Sequence, residues 1–271
     1  MQVRILEAQG NILRFYIRGV DTEVANAMRR TMMADVPTMA IEDVIIVENT
    51  SPMRDEMLAH RLGLIPLKTD LESYMPKELC DCHSELGCGK CSVTLTLEAE
   101  AVDSSCTVYS KELDSSDPEV VPVSGEIPLM KLAQGQRVKL EAYARLGTGH
   151  EHAKWQPVAV SALKHAVRLS VDLKKCDLCE SCVKTCPRHI LQTDGKKVTL
   201  VEPEDCDLCN KCIKSCPKDA LTVVPEKNAF IFNIESTGVL TPEKILNKAL
   251  SILTEKTDDL MEQLSAHGGK S

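Results

Sequence analysis

CDLCESCVKTCPRHIL at residues 176–191 is echoed thirty residues on by CDLCNKCIKSCPKDAL at 206–221. Both copies carry C-x2-C-x2-C-x3-C-P, the run in which close-set thiolates wrap three corners of an Fe4S4 cube. Where two cubes are present, the fourth cysteine of each run ligates the other cube. One cube is therefore expected on Cys176, Cys179, Cys182 and Cys216, and the second on Cys206, Cys209, Cys212 and Cys186. Pro187 and Pro217 turn the chain away after the last ligand. Zinc ribbons and disulfides compete for any cysteine cluster, but a duplicated run with this spacing and its prolines is hard to obtain from either.

Outward from the repeat, composition narrows the rest. The 271 residues hold 13 cysteines, twelve of them in three tight groups with only Cys106 left over, which fits bound metal in a reducing compartment better than secreted disulfides. Lys plus Arg total 32 against 40 for Asp plus Glu, a net charge of -8, which argues against a broad basic face that wraps nucleic acid. Aromatic residues are 3%, too few for base-stacking platforms, so the core must come from Leu, Ile, Val, Met and Ala. No apolar run approaches the roughly 20 residues that cross a bilayer, and MQVRILEAQGNILRF lacks the pattern of a signal peptide. A cytoplasmic location is expected.

The third cysteine group, Cys80, Cys82, Cys88 and Cys91, has the spacing C-x-C-x5-C-x2-C, with Gly87 and Gly89 to let the loop turn. Four thiolates in so short a stretch suit tetrahedral zinc, in a structural site with no open position for water. His83 is a substitute ligand, and a surface loop of uncommitted thiols is the alternative to a metal site. Other chemistry-bearing patterns are absent. GTGHEH at 147–152 lacks the third glycine of a dinucleotide fingerprint, and no Asp-x-Asp-x-Asp run exists to hold two catalytic magnesium ions. His150 and His152 read as structural or surface residues, and Arg29 and Arg30 as a helix edge.

Alternation in Val3–Ile5 and Ile12–Ile17 predicts strands. Asp21 or Thr22 caps a helix whose Val24, Ala27, Met28 and Thr31 share a face, and Pro37 ends it. IEDVIIVENTS from Ile41 reads as a buried strand, and MRDEMLAHRLGLIPL as a short helix stopped at Gly63 and Pro66. VTLTLEA, CTVYS and RVKLEAYARL make residues 93–146 mostly β, with SSDPEVVPVSGE as an exposed loop. AFIFNIES at 229–236 is another strand. LTPEKILNKALSILTEKTDDLMEQL at 240–264 is a helix capped by Thr241 with Pro242 in its first turn. Along it Leu246, Leu250, Leu253, Leu260 and Leu264, with Thr257 between, form a narrow seam that either its own domain or a partner helix must cover.

ANAMRRTMMADVPTMAIEDVIIVENTS at 25–51, DEMLAHRLGLIPL at 55–67, GTGHEHAKWQPV at 147–158 and FNIESTGVLTPEKILNKALSIL at 232–253 together resemble the D-subunit family of archaeal RNA polymerase, counterparts of the third-largest eukaryotic subunit and of bacterial alpha. The resemblance covers nearly the whole chain. It implies an α+β fold with an alpha-subunit-like dimerisation domain at 1–40, 155–172 and 225–265. A β-rich domain inserted at 41–154 would carry the Cys80–Cys91 loop, a ferredoxin-like domain would be inserted at 173–224, and a disordered tail would occupy 266–271. It further implies that the first and last helices pack on a smaller alpha-like subunit, L, which turns Val24, Met28 and the leucine seam toward a partner. Subunits N and P and the second-largest subunit would dock on that pair, with the catalytic magnesium in the largest subunit. The expected role is a non-catalytic assembly scaffold of DNA-directed RNA polymerase, in transcription. Members keep two, one or none of the ferredoxin motifs, which points the clusters to stability or redox regulation of assembly. The central spacing of the Cys80–Cys91 loop is longer than in eukaryotic relatives, which leaves its metal open. The alternative role is a ferredoxin-type electron-transfer subunit of an oxidoreductase, for which no flavin or nicotinamide site is visible.

Overall fold

Period-two burial builds the first hairpin of the computed structural model, which describes residues 1–268. β1 (Gln2–Gln9) turns at Gly10 into β2 (Ile12–Arg18), where Leu13, Phe15 and Ile17 are buried and their neighbours are more open. α1 (Thr22–Ala34) turns Ala25, Met28, Thr31 and Met32 inward. Val24, expected on that face, is 51% exposed, because the buried stripe is set one residue further round the helix, at Ala25.

β3 (Thr38–Asn49) begins as the buried strand expected, with Met39, Ala40 and Ile41 covered. Its second half departs from that reading. β3 is an edge strand, and Ile45 and Val47 stand outward after a bulge that follows Ile41. α2 (Asp55–Gly63) packs on β3 and buries Leu58 and Leu62 completely.

β4 (Ser92–Glu100), β5 (Cys106–Tyr109), β6 (Asp114–Ser115), β7 (Pro128–Leu132) and β8 (Arg137–Gly147) follow. They form an antiparallel sheet in the order β3-β8-β4-β6, with β5 paired to β7 beside it. Val93, Leu95 and Leu97 pair with Ala144, Ala142 and Leu140, and these residues share one core with Leu58 and Leu62. Residues 115–126, expected as an exposed loop, are pinned by the fully buried Val120 and by a bridge from Leu67 to Pro122.

β9 (Val158–Val171) leads to the short α3 (Ser181–Thr185), the hairpin of β10 (Leu191–Thr193) and β11 (Val198–Leu200), and the short α4 (Lys211–Lys214). β12 (Leu221–Ser236) then completes a sheet of order β1-β2-β12-β9, in which Phe15 stacks on Phe232 at 4.9 Å. The segment between β9 and β12 has its own small core of Cys182, Cys186, Ile190, Leu191, Val198 and Leu221.

α5 (Pro242–Gly268) starts at its expected cap, with Lys244 N donating to Thr241 Oγ1 at 3.4 Å. It continues through the first residues of the stretch expected to be disordered, and Ser265 Oγ donates back to Met261 O at 2.8 Å within that helix. Residues 269–271 lie outside the described residues. Contacts group the chain into two units, one of 1–9, 13–27 and 162–233, the other of 10–12, 28–161 and 234 onward. Among the described residues no helix is long and apolar enough to cross a membrane.

Candidate metal centres

Each cysteine run is curled by backbone that L residues adopt only under constraint. Leu178 and Glu180 sit at φ +59° and +60°, and their counterparts Leu208 and Asn210 at +53° and +58°. A left-handed leucine persists where its surroundings over-determine it. The curl brings Cys176, Cys179 and Cys182 to the wall of one cavity together with Cys216 from the other run. A second cavity is lined by Cys206, Cys209 and Cys212 together with Cys186. Cys182 and Cys186 are one helical turn apart on α3 and its end, so one turn serves both cavities.

Cys182 and Cys186 are buried, whereas Cys179 and Cys209 are exposed, so each cavity has one exposed cysteine in its wall. Burial pushes the Cys182 thiol up, and charge on Cys216 or Cys179 adds to the effect. Burial does the same to Cys212, beside Cys186, Cys206 and Cys209. A cavity lined by four thiols, one of them disfavoured as a bare thiolate by burial, suits a cationic inorganic core. Ala220 N donates to Cys216 Sγ at 3.3 Å, an amide contact of the kind that tunes such a centre.

Single-ion geometry is found elsewhere. Among the described residues, Cys80, Cys82, Cys88 and Cys91 form the group whose ligand atoms all lie within 4.8 Å of one another. The Sγ atoms of Cys80 and Cys88 are 3.7 Å apart, those of Cys82 and Cys91 3.8 Å, and those of Cys88 and Cys91 3.9 Å. A tetrahedron with metal–sulfur bonds of about 2.3 Å has edges of about 3.8 Å, so this set fits one four-coordinate ion. Cys91 is fully buried beside the start of β4, and burial pushes its thiol up to about 12. The Lys90 amide pulls Cys88 down to about 7. A Cβ at Gly87, φ +86°, would lie 2.6 Å from Ser92 Cβ, so the loop needs glycine there. His83 lies outside the ligand group.

Charged residues distant in sequence hold these elements, and no local pattern announces them. Lys218 pairs with Asp177 at 3.0 Å and Arg188 with Asp207 at 2.6 Å. Arg145, its side chain 16% exposed, lies 3.5 Å from Glu42, 3.6 Å from Glu78 and 3.3 Å from Glu151, and 4.7 Å above the Trp155 ring. Glu78 directly precedes the metal loop, so Arg145 ties that loop to β8. His152 Nδ1 accepts from Lys154 N at 3.0 Å, a structural use of that ring.

On α5 the chain itself buries Ile245 and Ala249. The neighbouring seam is less covered: Leu246 and Leu253 are half-buried, Leu250 is 41% exposed, Leu260 56% and Leu264 60%. Met28, expected at a partner surface, is instead buried in this chain, because it lies on the inward stripe of α1.

The pattern of the RNA polymerase Rpb3/Rpb11 dimerisation domain matches residues 14–257. The chain is 41% identical over 265 residues to the DNA-directed RNA polymerase subunit Rpo3 of Methanosphaera stadtmanae, covering 96% of this chain and 97% of that one. The Rpo3 subunit of Archaeoglobus fulgidus is 41% identical over 259 residues, 96% of each chain. That of Pyrococcus furiosus is 36% identical over 270 residues, 97% of each.

Proposed function

The chain belongs to the RNA polymerase Rpb3/Rpb11 dimerisation family and serves transcription as a scaffold subunit of a DNA-directed RNA polymerase, and we propose that it does so by pairing through α5 with a smaller alpha-like subunit, L. The observation that carries this is the division of α5. Ile245 and Ala249 are buried by the chain, while Leu250, Leu260 and Leu264, one residue further round, stand in water. A second apolar stripe on one helix calls for a second cover. Burying each half-exposed leucine contributes about 1 kcal/mol, which the rest of an interface adds to. Subunits N and P and the second-largest subunit then dock on the pair, and the catalytic magnesium belongs to the largest. No catalytic residue is assigned to this chain, and its compartment is the cytoplasm.

Cys176, Cys179, Cys182 and Cys216 hold one [4Fe–4S] cluster in this reading, Cys206, Cys209, Cys212 and Cys186 a second, and Cys80, Cys82, Cys88 and Cys91 one zinc ion. The clusters supply ligand-bond stability to an insert whose own core is small, so that oxidative loss limits later assembly. An electron-transfer role is disfavoured because the family pattern runs on both sides of the insert.

The double substitution Leu260→Asp, Leu264→Asp tests the pairing surface. Both side chains are exposed, so the chain should fold unchanged yet fail to co-purify with the small alpha-like subunit. Undiminished pairing in that variant ends this reading of α5.

A further inference from the structure

Three strands of one sheet each send a cation to the short segment 204–207, which leads into the second run. Arg4 of β1 meets Glu204, Arg14 of β2 lies 2.8 Å from Asp205, and Lys164 of β9 lies 3.7 Å from Asp207. Lys164 Nζ also donates to Cys206 O at 3.2 Å, so the peptide of a cluster-ligand position is itself held from the sheet. Among the described residues, no ion pair joins residues 176–186 to a strand of that sheet, and Asp177 pairs within the insert.

From this asymmetry we propose that the segment 204–207 is an electrostatic latch through which occupancy of the site of Cys206, Cys209, Cys212 and Cys186 is felt by β1, β2 and β9, whereas residues 176–186 send no ion pair of their own to those strands. The proposal rests on the iron–sulfur reading of the runs. Each pair alone is partly exposed and weak, but several acting on four consecutive residues require those residues to keep one conformation. That conformation leads directly into the left-handed turn at Leu208 and Asn210, which ligation over-determines. When the cluster is lost the turn relaxes, the acidic segment shifts, and the cations of β1, β2 and β9 lose their partners.

The test uses the full chain, expressed with the other polymerase subunits and purified anaerobically. Iron per chain is counted by mass spectrometry, and amide hydrogen exchange is followed in β2 and around Lys164. Cys179→Ser and Cys209→Ser each remove one solvent-exposed thiol, so neither opens a cavity in the core. Each should lose half the iron. Cys209→Ser should speed exchange in β2 and around Lys164 by about tenfold, whereas Cys179→Ser should leave both within about twofold. Arg14→Gln combined with Lys164→Gln should keep all the iron and reproduce the exchange of Cys209→Ser. Equal exchange in the two cysteine variants, or iron loss in Cys209→Ser with an unmoved sheet, overturns the latch. A wild-type chain without iron overturns the cluster reading beneath it, and the iron count tells the two failures apart.

Discussion

Lys218, just past the last cysteine of the second run, lies 3.0 Å from Asp177, just past the first cysteine of the first run. The duplication repeats the relationship in mirror sense, since Arg188 of the first run lies 2.6 Å from Asp207 of the second. The same two positions of the repeat thus clasp each other twice across the insert. Lys218 holds the Asp177 carboxyl below the usual carboxylate range, and Arg188 does the same for Asp207. With both native values depressed, the contribution is complete above the ordinary value near 3.9 and is lost as pH falls through the native ones. The clasps therefore hold from neutrality down to about pH 4.

Removing one clasp should loosen one site. Asp177→Asn is expected to speed iron release to a chelator, from the site of Cys176, Cys179, Cys182 and Cys216, by about two- to fivefold at low salt. The effect should fade near 1 M salt, where screening is short-ranged. Bleaching of cluster absorbance reads it directly, and a rate ratio indifferent to salt would show that charge is not the cause.

The Cys80–Cys91 loop makes a separate forecast. Cys88→Ser should abolish bound zinc, measured by native mass spectrometry, and make residues 76–90 the first site of protease cleavage. The core around Leu95, Leu97 and Leu140 contains none of the four ligands, so the main thermal transition should move little. Intact protection of the loop without metal would mean that Arg145 and Glu78 suffice to hold it.

Much of this was legible because its determinants are local. Cysteine spacing, the Thr241 cap and the alternation of Leu13, Phe15 and Ile17 are each contained within a few residues. β12 was legible only from Ala229 onward, since Pro225 and the left-handed Asn228 interrupt the pattern of a strand that begins at Leu221. The Arg145 cluster and the cations of β1, β2 and β9 were invisible, because an ion pair between residues far apart leaves no period in the sequence. On α1 and α5 the apolar positions were seen but their division between faces was not. A helix with two adjacent apolar stripes does not say which one its own chain covers.

Glycine at 149 makes a packing forecast with a fixed sign. A Cβ there would stand 2.1 Å from the carbonyl oxygen of Met33, which is backbone and cannot rotate away. Gly149→Ala should cost about 1–3 kcal/mol through forced backbone displacement. Gly89→Ala, with nothing within 4 Å of the added atom, serves as the neutral control. Equal melting temperatures for the two variants would refute the close approach of Gly149 and Met33.

Glu42 gives the chain a pH dependence that can be isolated. Burial pushes its carboxyl up, but the hydrogen bond and charge of Lys154 and the nearby Arg145 outweigh burial and hold it below the usual glutamate range. A depressed native value means stabilisation that is complete at neutral pH and disappears as pH falls through that value, below about 4.3. Replacing Lys154 with Met leaves burial less opposed, so the Glu42 value should rise. The stability gap between wild type and Lys154→Met should then be larger at pH 7 than at pH 3.5. The pH-dependent part should stay under about 1 kcal/mol, because the Glu42 side chain is one-third exposed and screened by solvent. A second, pH-independent part comes from lost contacts, since Lys154 also lies 4.4 Å over the Trp155 ring and donates to Ile41 O at 2.9 Å. Melting curves of both proteins at the two pH values separate the parts. A gap of the same size at both would assign the whole contribution of Lys154 to packing and none to Glu42.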